Sequence, residues 1–381
     1  MPPQSGEMEI NMLLGEKKRL DYIDWVKAVS ILFIVIGHFL PSNCWPKVLL
    51  YSFHVPIFVI IGGVLFTAPK TWREYGKKCF GLVKRLLIPF VIVFVLCCLV
   101  YWLPEEMLPK YGIDDVTRDI VTLLEYAVCY RRITVWNQAL WFIPCYLVTS
   151  LIMLIFTKLT KGNRLASLGL SALSFITLLE LEKREITIDI GEVKDVFGMK
   201  NYFLMLGFFA LGYALRPMLD MCLNMTENPR KNPLLYASGC SFVMLAVMCL
   251  KCNVSEKDAA GYNHISLYSG YYNDMKLFIF FGIMLSVTLI IALMLLPGCK
   301  LSNLLSRNSL FIMMTHMVFL LHNSFVTLTP VKTMWEVDMK VSIRDGFFVF
   351  MIFVVFLWIL DALVLQRFPK VRKVLGFIGI Q

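Results

Sequence analysis

The stretch Asp24-Trp25-Val26-Lys27-Ala28-Val29-Ser30-Ile31-Leu32-Phe33-Ile34-Val35-Ile36-Gly37-His38 decides how the chain is read. A lysine opens an almost wholly apolar run and a histidine closes it. Each residue of an α-helix turns by about 100°, so the path from Lys27 to His38 amounts to about 1100°, close to three full turns. The two side chains therefore share one stripe, roughly 16 Å apart along the axis. An ammonium and an imidazole on one face of a membrane helix are costly unless they meet protein, water or a ligand. That face is the expected start of an active site. Two plainer readings stand beside it: Lys27 snorkelling to headgroups, and His38 capping the helix at the opposite interface.

Composition agrees with a membrane setting. The chain has 381 residues, 58% hydrophobic and 17% charged, with a mean hydropathy of +0.69. Its apolar residues come in blocks of about 17–22, the length a bilayer core demands. A β-barrel would show short alternating segments instead. The fold class is therefore all-α: a polytopic membrane protein of about ten transmembrane helices in one bundle. The net charge of +10 does not indicate nucleic acid, because the basic residues sit at the ends of apolar segments rather than in one patch. They follow the positive-inside pattern. Most of the 11 cysteines lie within apolar segments, where a thiol behaves as a small hydrophobe. Cys249-Leu-Lys-Cys252 is a lone CxxC at a span end, incidental or, on the outer side, a disulfide. No metal site is expected.

Residues 1–19 are a polar N-terminal segment whose Lys17-Lys18-Arg19 cluster holds the N-terminus in the cytoplasm. The first span then acts as an uncleaved signal-anchor. The spans are expected at about Trp25–Leu40, Val48–Phe66, Leu82–Leu103, Leu140–Phe156, Leu165–Leu181, Tyr202–Leu215, Leu234–Leu250, Met275–Leu296, Ser309–Leu328 and Asp345–Leu365. Lys70, Arg73, Lys77, Lys78, Lys84 and Arg85 are read as a basic inner loop. Arg216-Pro217 is read as the stop of the sixth span. Ile120–Tyr130 is amphipathic and expected on the membrane surface. An outer loop holds Tyr262, Tyr268, Tyr271 and Tyr272. The transmembrane domain is taken as 20–373, with a short tail at 374–381 and the C-terminus inside. A cell membrane is expected, of bacterial inner-membrane type.

Six short motifs, in order, carry a resemblance. Asp24-x-x-Lys27-x10-His38 resembles the opening motif of the acyltransferase 3 family of integral membrane acyltransferases, where the basic position is usually Arg; the lysine form is similar to the fucose 4-O-acetylase-like subset. Phe53-His54-Val55-Pro56-Ile57-Phe58-Val59-Ile60-Ile61-Gly62-Gly63 resembles the family's FHMPLFFxxSG, with Gly62 where Ser is common. Lys84–Phe90 is similar to KRLLIPY, Leu140–Pro144 to LWFLP, Phe208–Tyr213 to FFxLGY, and Ser306–His316 to GKNSLxIYLLH. The resemblance covers about Leu20 to Arg372. It implies transfer of an acyl group, usually acetyl from acetyl-CoA as co-substrate, to a carbohydrate hydroxyl of an envelope glycan or lipid-linked precursor on the far side of the membrane.

The residues fit that chemistry. A sugar hydroxyl needs a base when it attacks a thioester, and imidazole is the usual one. His38 is the candidate, as general base or as the group that accepts the acyl and passes it on. Lys27, toward the inner side, attracts CoA phosphates as a point charge. Asp24, three residues earlier, orients Lys27 or simply caps the helix start. Lys77, Lys78, Lys84 and Arg85 form a basic cluster for the phosphates of CoA, or else fix topology and touch anionic lipid. His54 and His316 are secondary candidates. Trp141 is read as packing or as a belt aromatic ahead of a sugar-stacking platform. A different class stays open: a transporter or flippase for a lipid-linked saccharide, although the paired broken helices common there are not visible. So does transfer of another acyl group such as succinyl. The acceptor sugar, its hydroxyl and the oligomeric state are not readable.

Overall fold

The computed structural model describes residues 21–40, 45–100, 137–187, 198–224, 232–254, 257–258, 261–262, 265, 267 and 274–320, with scattered positions between 355 and 370. Apart from a ribbon of two two-residue strands, β1 (Lys257–Asp258) and β2 (Gly261–Tyr262), the described elements are helices. Seven helical stretches among the described residues are long and apolar enough to cross a membrane. Together with α1 (Asp21–Phe39) and α11 (Ser309–Leu320) they fall where the first nine spans are expected. The amphipathic segment 120–130, Tyr268, Tyr271, Tyr272, most of the tenth span and both terminal segments lie outside the described residues.

Three local expectations are corrected. The basic "loop" before the third span is helix: α4 runs Trp72–Val100 and carries Arg73, Lys77, Lys78, Lys84 and Arg85. Thr71-Trp72-Arg73-Glu74 is the reason. The Glu74 backbone N–H donates to Thr71 Oγ1 (3.1 Å), and the Glu74 carboxylate accepts from the Lys70 backbone N–H (2.8 Å). The Thr71 hydroxyl thus caps an orphan donor of the first turn, and the Glu74 carboxylate pins the residue before the cap. Lys78 completes the start with an i,i+4 ion pair to Glu74 (2.9 Å).

The second span is not one helix. It is α2 (Trp45–Tyr51), a bend at Ser52-Phe53, and α3 (His54–Leu65). Pro56 accounts for the bend, because its ring excludes the carbonyl four residues back, at Ser52. Ser52 and Phe53 turn through tighter bonds to Leu49 O and Leu50 O (3.1 and 3.2 Å). In the sixth span, Pro217 does not end the helix: α7 runs Met199–Asn224 through it. Buried Leu219 and Cys222 hold the far side, and such prolines are tolerated where tertiary neighbours compensate. Cys249 is buried in α8 (Pro233–Val254), Cys252 is exposed at its end, and no disulfide joins them.

Helix α3 is the hub. It packs on α1, α7 and α9 (Met275–Leu293); α6 (Arg164–Lys183) packs on α7, and α4 on α5 (Phe142–Leu159). Outward faces are apolar: Val91, Val95 and Leu96 of α4, Leu165, Leu168 and Leu173 of α6, and Val243, Met244 and Val247 of α8 are exposed. Such broad apolar faces fit a lipid surround rather than water. Two glycines set the α3–α7 distance. A Cβ on Gly63 would strike the Phe209 carbonyl oxygen, and one on Gly212 the Ile60 carbonyl oxygen. The absence of both lets backbone approach backbone, the usual role of small residues between membrane helices. Arg164 anchors α6 to α7 by donating to the Tyr213 carbonyl (2.6 Å) and stacking over its ring (4.8 Å).

The start of α1 is tied to the far end of the chain. Trp25 Nε1 donates to Pro297 O (2.7 Å), and the Gly298 backbone N–H donates to the Asp21 carboxylate (3.1 Å). Ser306 Oγ, on α10 (Lys300–Arg307), donates to Asp24 Oδ1 at 2.6 Å with both groups buried. A hydrogen bond to a charged acceptor contributes roughly 1.5–3 kcal/mol. Ser306→Ala is therefore expected to lower thermal stability in detergent by that order, and Ser306→Thr to retain most of it.

Candidate active site

The bend between α2 and α3 brings three imidazoles and a phenol together. Tyr51 Oη lies 3.3 Å from His38 Nδ1. The Tyr51 and His54 rings are 4.6 Å apart, and those of His38 and His316 are 5.1 Å apart. Lys47 is buried beside them, 5.2 Å from the Tyr51 ring centroid, and donates to Leu40 O (3.1 Å). Ring tautomers follow from the partners. A carbonyl only accepts, so His54 Nδ1–H donates to Leu50 O (2.7 Å) and His316 Nδ1–H to Ile312 O (2.9 Å). The basic nitrogen of each neutral ring is then Nε2. That of His316 is buried with no hydrogen-bond partner. His38, Tyr51, His54, Trp141 and Met313 line a small cavity of about 70 Å³.

A second cavity, of about 620 Å³, lies toward the other end of α1. Asp24, Lys27, Arg85, Ser306 and Arg307 supply its charged and polar wall; Phe58, Leu65, Phe66 and Leu82 supply an apolar one. Asp24 is buried, Lys27 half-buried, and Arg85 exposed at the margin. At Gly62 the room a side chain would take is filled by the Tyr146 hydroxyl, which also faces this cavity.

The predicted residues thus divide. His38, His54, His316 and Trp141 meet around the small cavity; Asp24, Lys27 and Arg85 meet around the large one. Trp141 is 7% exposed, which makes it a lining residue rather than a belt aromatic. Lys84 and Lys77 are exposed and do not line either cavity, and Lys78 is engaged by Glu74 and by Thr67 O (2.8 Å). Sequence reasoning missed Tyr51, Lys47, Tyr146, Ser306 and Arg307. Tyr51 stands three residues before His54, one helical turn away, but sits in a run that reads as span. Asn137 was missed too: its amide donates to Met314 O (2.9 Å) and so fixes the short 3-10 turn Gln138–Trp141 against α11, which bears His316.

A multi-pass helical bundle whose ionisable groups converge on two interior cavities defines a membrane protein with a functional interior. Residues 20–364 match the family described as an acyltransferase domain, and the chain belongs to the acyltransferase 3 family. It is a membrane acyltransferase. Searches of curated proteins and of solved structures returned no match.

Proposed function

We propose that the protein transfers an acyl group, acetyl from acetyl-CoA, to a hydroxyl of an envelope carbohydrate, with His38 as general base. One observation carries the reading: a single helix, α1, brings Lys27 to the large cavity and places His38 at the small one. Donor and acceptor can then meet from opposite ends of one helix. With Nδ1–H given to Tyr51 Oη, the His38 Nε2 takes the sugar hydroxyl proton as the oxygen attacks the thioester carbon. The C–O bond forms, the C–S bond breaks, and the departing CoA thiolate recovers the proton. Lys27 and Arg85, with Arg307, supply positive charge for the phosphates of the donor. This orientation sets the Lys27 end and both termini in the cytoplasm, and the His38 end facing the glycan, in a cell membrane. The lysine at position 27 favours a fucose 4-O-acetylase-like acceptor.

Membranes containing the protein, given acetyl-CoA labelled in the acetyl carbons and the envelope glycans of its host, are expected to form glycan carrying alkali-labile label. Label that stays on CoA, while the protein is inserted and folded, overturns the proposal.

A further inference from the structure

We propose that the ring of Phe142 is the partition between the two cavities and sets the length of acyl group that reaches His38; this rests on reading the large cavity as the donor chamber. Among the described residues, Phe142 alone lines both cavities. It is 3% exposed and gripped on three sides. Phe58 meets it edge-on (centroids 5.5 Å, planes at 80°), Tyr146 stacks on it (5.5 Å, 24°), and Trp141 meets it edge-on (5.9 Å, 77°). Its backbone is equally fixed. Residue 142 is the first of α5, directly after the 3-10 turn, and its N–H bonds back to Ala139 O and Leu140 O. A ring so held does not swing aside freely, so its fixed position limits what passes between the two cavities.

The volumes give the partition its consequence. The donor side offers about 620 Å³ and the imidazole side about 70 Å³. The large side accommodates many acyl chains; the small side, crowded by His38, Tyr51 and Trp141, admits a short one. Because an added methylene in a fitted apolar site changes discrimination by about 10–200-fold, a barrier of this kind sorts two-carbon from four-carbon groups. Removing the ring merges the chambers and gives the longer chain somewhere to lie.

The test uses the purified full-length protein with acetyl-, butyryl- and hexanoyl-CoA, reading release of CoA thiol with host envelope glycans as acceptor. Wild type is expected to lose at least about tenfold in kcat/KM from acetyl to butyryl. Phe142→Ala is expected to raise the butyryl-to-acetyl ratio by at least about tenfold, with Phe142→Leu in between. Phe142→Leu also serves if the alanine variant fails to elute as a single folded species. An unchanged ratio in a folded variant overturns the proposal. If no acyl-CoA is consumed by any form, the functional reading fails, and the partition is judged separately. A cysteine is placed in the small cavity by Ala139→Cys, and an impermeant methanethiosulfonate is applied to the Lys27 side of sealed vesicles, with labelling read at that peptide by mass. Labelling at 139 that rises at least about tenfold when Phe142→Leu or Phe142→Ala is added supports the barrier; equal labelling overturns it.

Discussion

His38→Ala is expected to lower acyl transfer by about 10²–10⁴-fold, the usual contribution of a positioned general base, while the protein still inserts and elutes as wild type. The imidazole is half-buried, and its ring contacts include a 3.3 Å contact to Tyr51 Oη and a tilted approach to His316. Truncating a half-buried ring removes less packing than truncating a fully buried one. His54→Ala should behave differently, because His54 Nδ1–H donates to Leu50 O across the α2–α3 bend; its loss is expected to destabilise the fold along with the rate. Tyr51→Phe removes only the hydroxyl that contacts His38 Nδ1, so a smaller drop is expected, with unchanged affinity for acetyl-CoA. The measurement is initial rate of label transfer in detergent or vesicles at matched protein. A His38→Ala enzyme with full activity would remove the base assignment.

The second large effect acts on helix packing rather than on the chemistry. Gly212→Val is expected to abolish recovery of folded protein, read as loss of the monodisperse peak in size-exclusion chromatography after detergent extraction. A Cβ at 212 would meet the carbonyl of Ile60, and no side chain there can rotate out of the way. Relief requires α3 and α7 to separate, and α3 also packs on α1 and α9, so the strain is not local. Overpacking a close-packed interior typically costs about 1–3 kcal/mol, and a backbone-to-backbone clash belongs at or above the top of that range. Gly81→Val, where a Cβ would meet nothing within 4 Å, is the matched control and should be recovered normally.

Much of this was legible from residue order alone, for physical reasons. Apolar runs of bilayer length announce spans, and three turns of helix put Lys27 and His38 on one stripe. What periodicity does not carry is distance between helices. Tyr51 lies in a segment that reads as span, and its approach to His38 is a contact between two separate helices. Ser306 and Arg307 stand 282 residues or more from Asp24, and no local pattern links them. The helical start at Trp72 was readable in Thr71-Trp72-Arg73-Glu74, but the density of lysine and arginine around it looked like loop. The Pro217 stop failed because a rule for isolated helices was applied where neighbours make up the lost bond.

The pairing of Asp24 with Ser306 bears on how the protein is made. The acid emerges from the ribosome well ahead of its hydroxyl partner, which follows 282 positions later. Trp25 likewise waits for the carbonyl of Pro297, and Asp21 for the amide of Gly298. The opening helix therefore enters the bilayer before these three partners exist, and it meets them only after more than 270 further residues have been translated. Truncated products ending before that point would lack all three long-range bonds, which gives cellular quality control a concrete mark by which to find them.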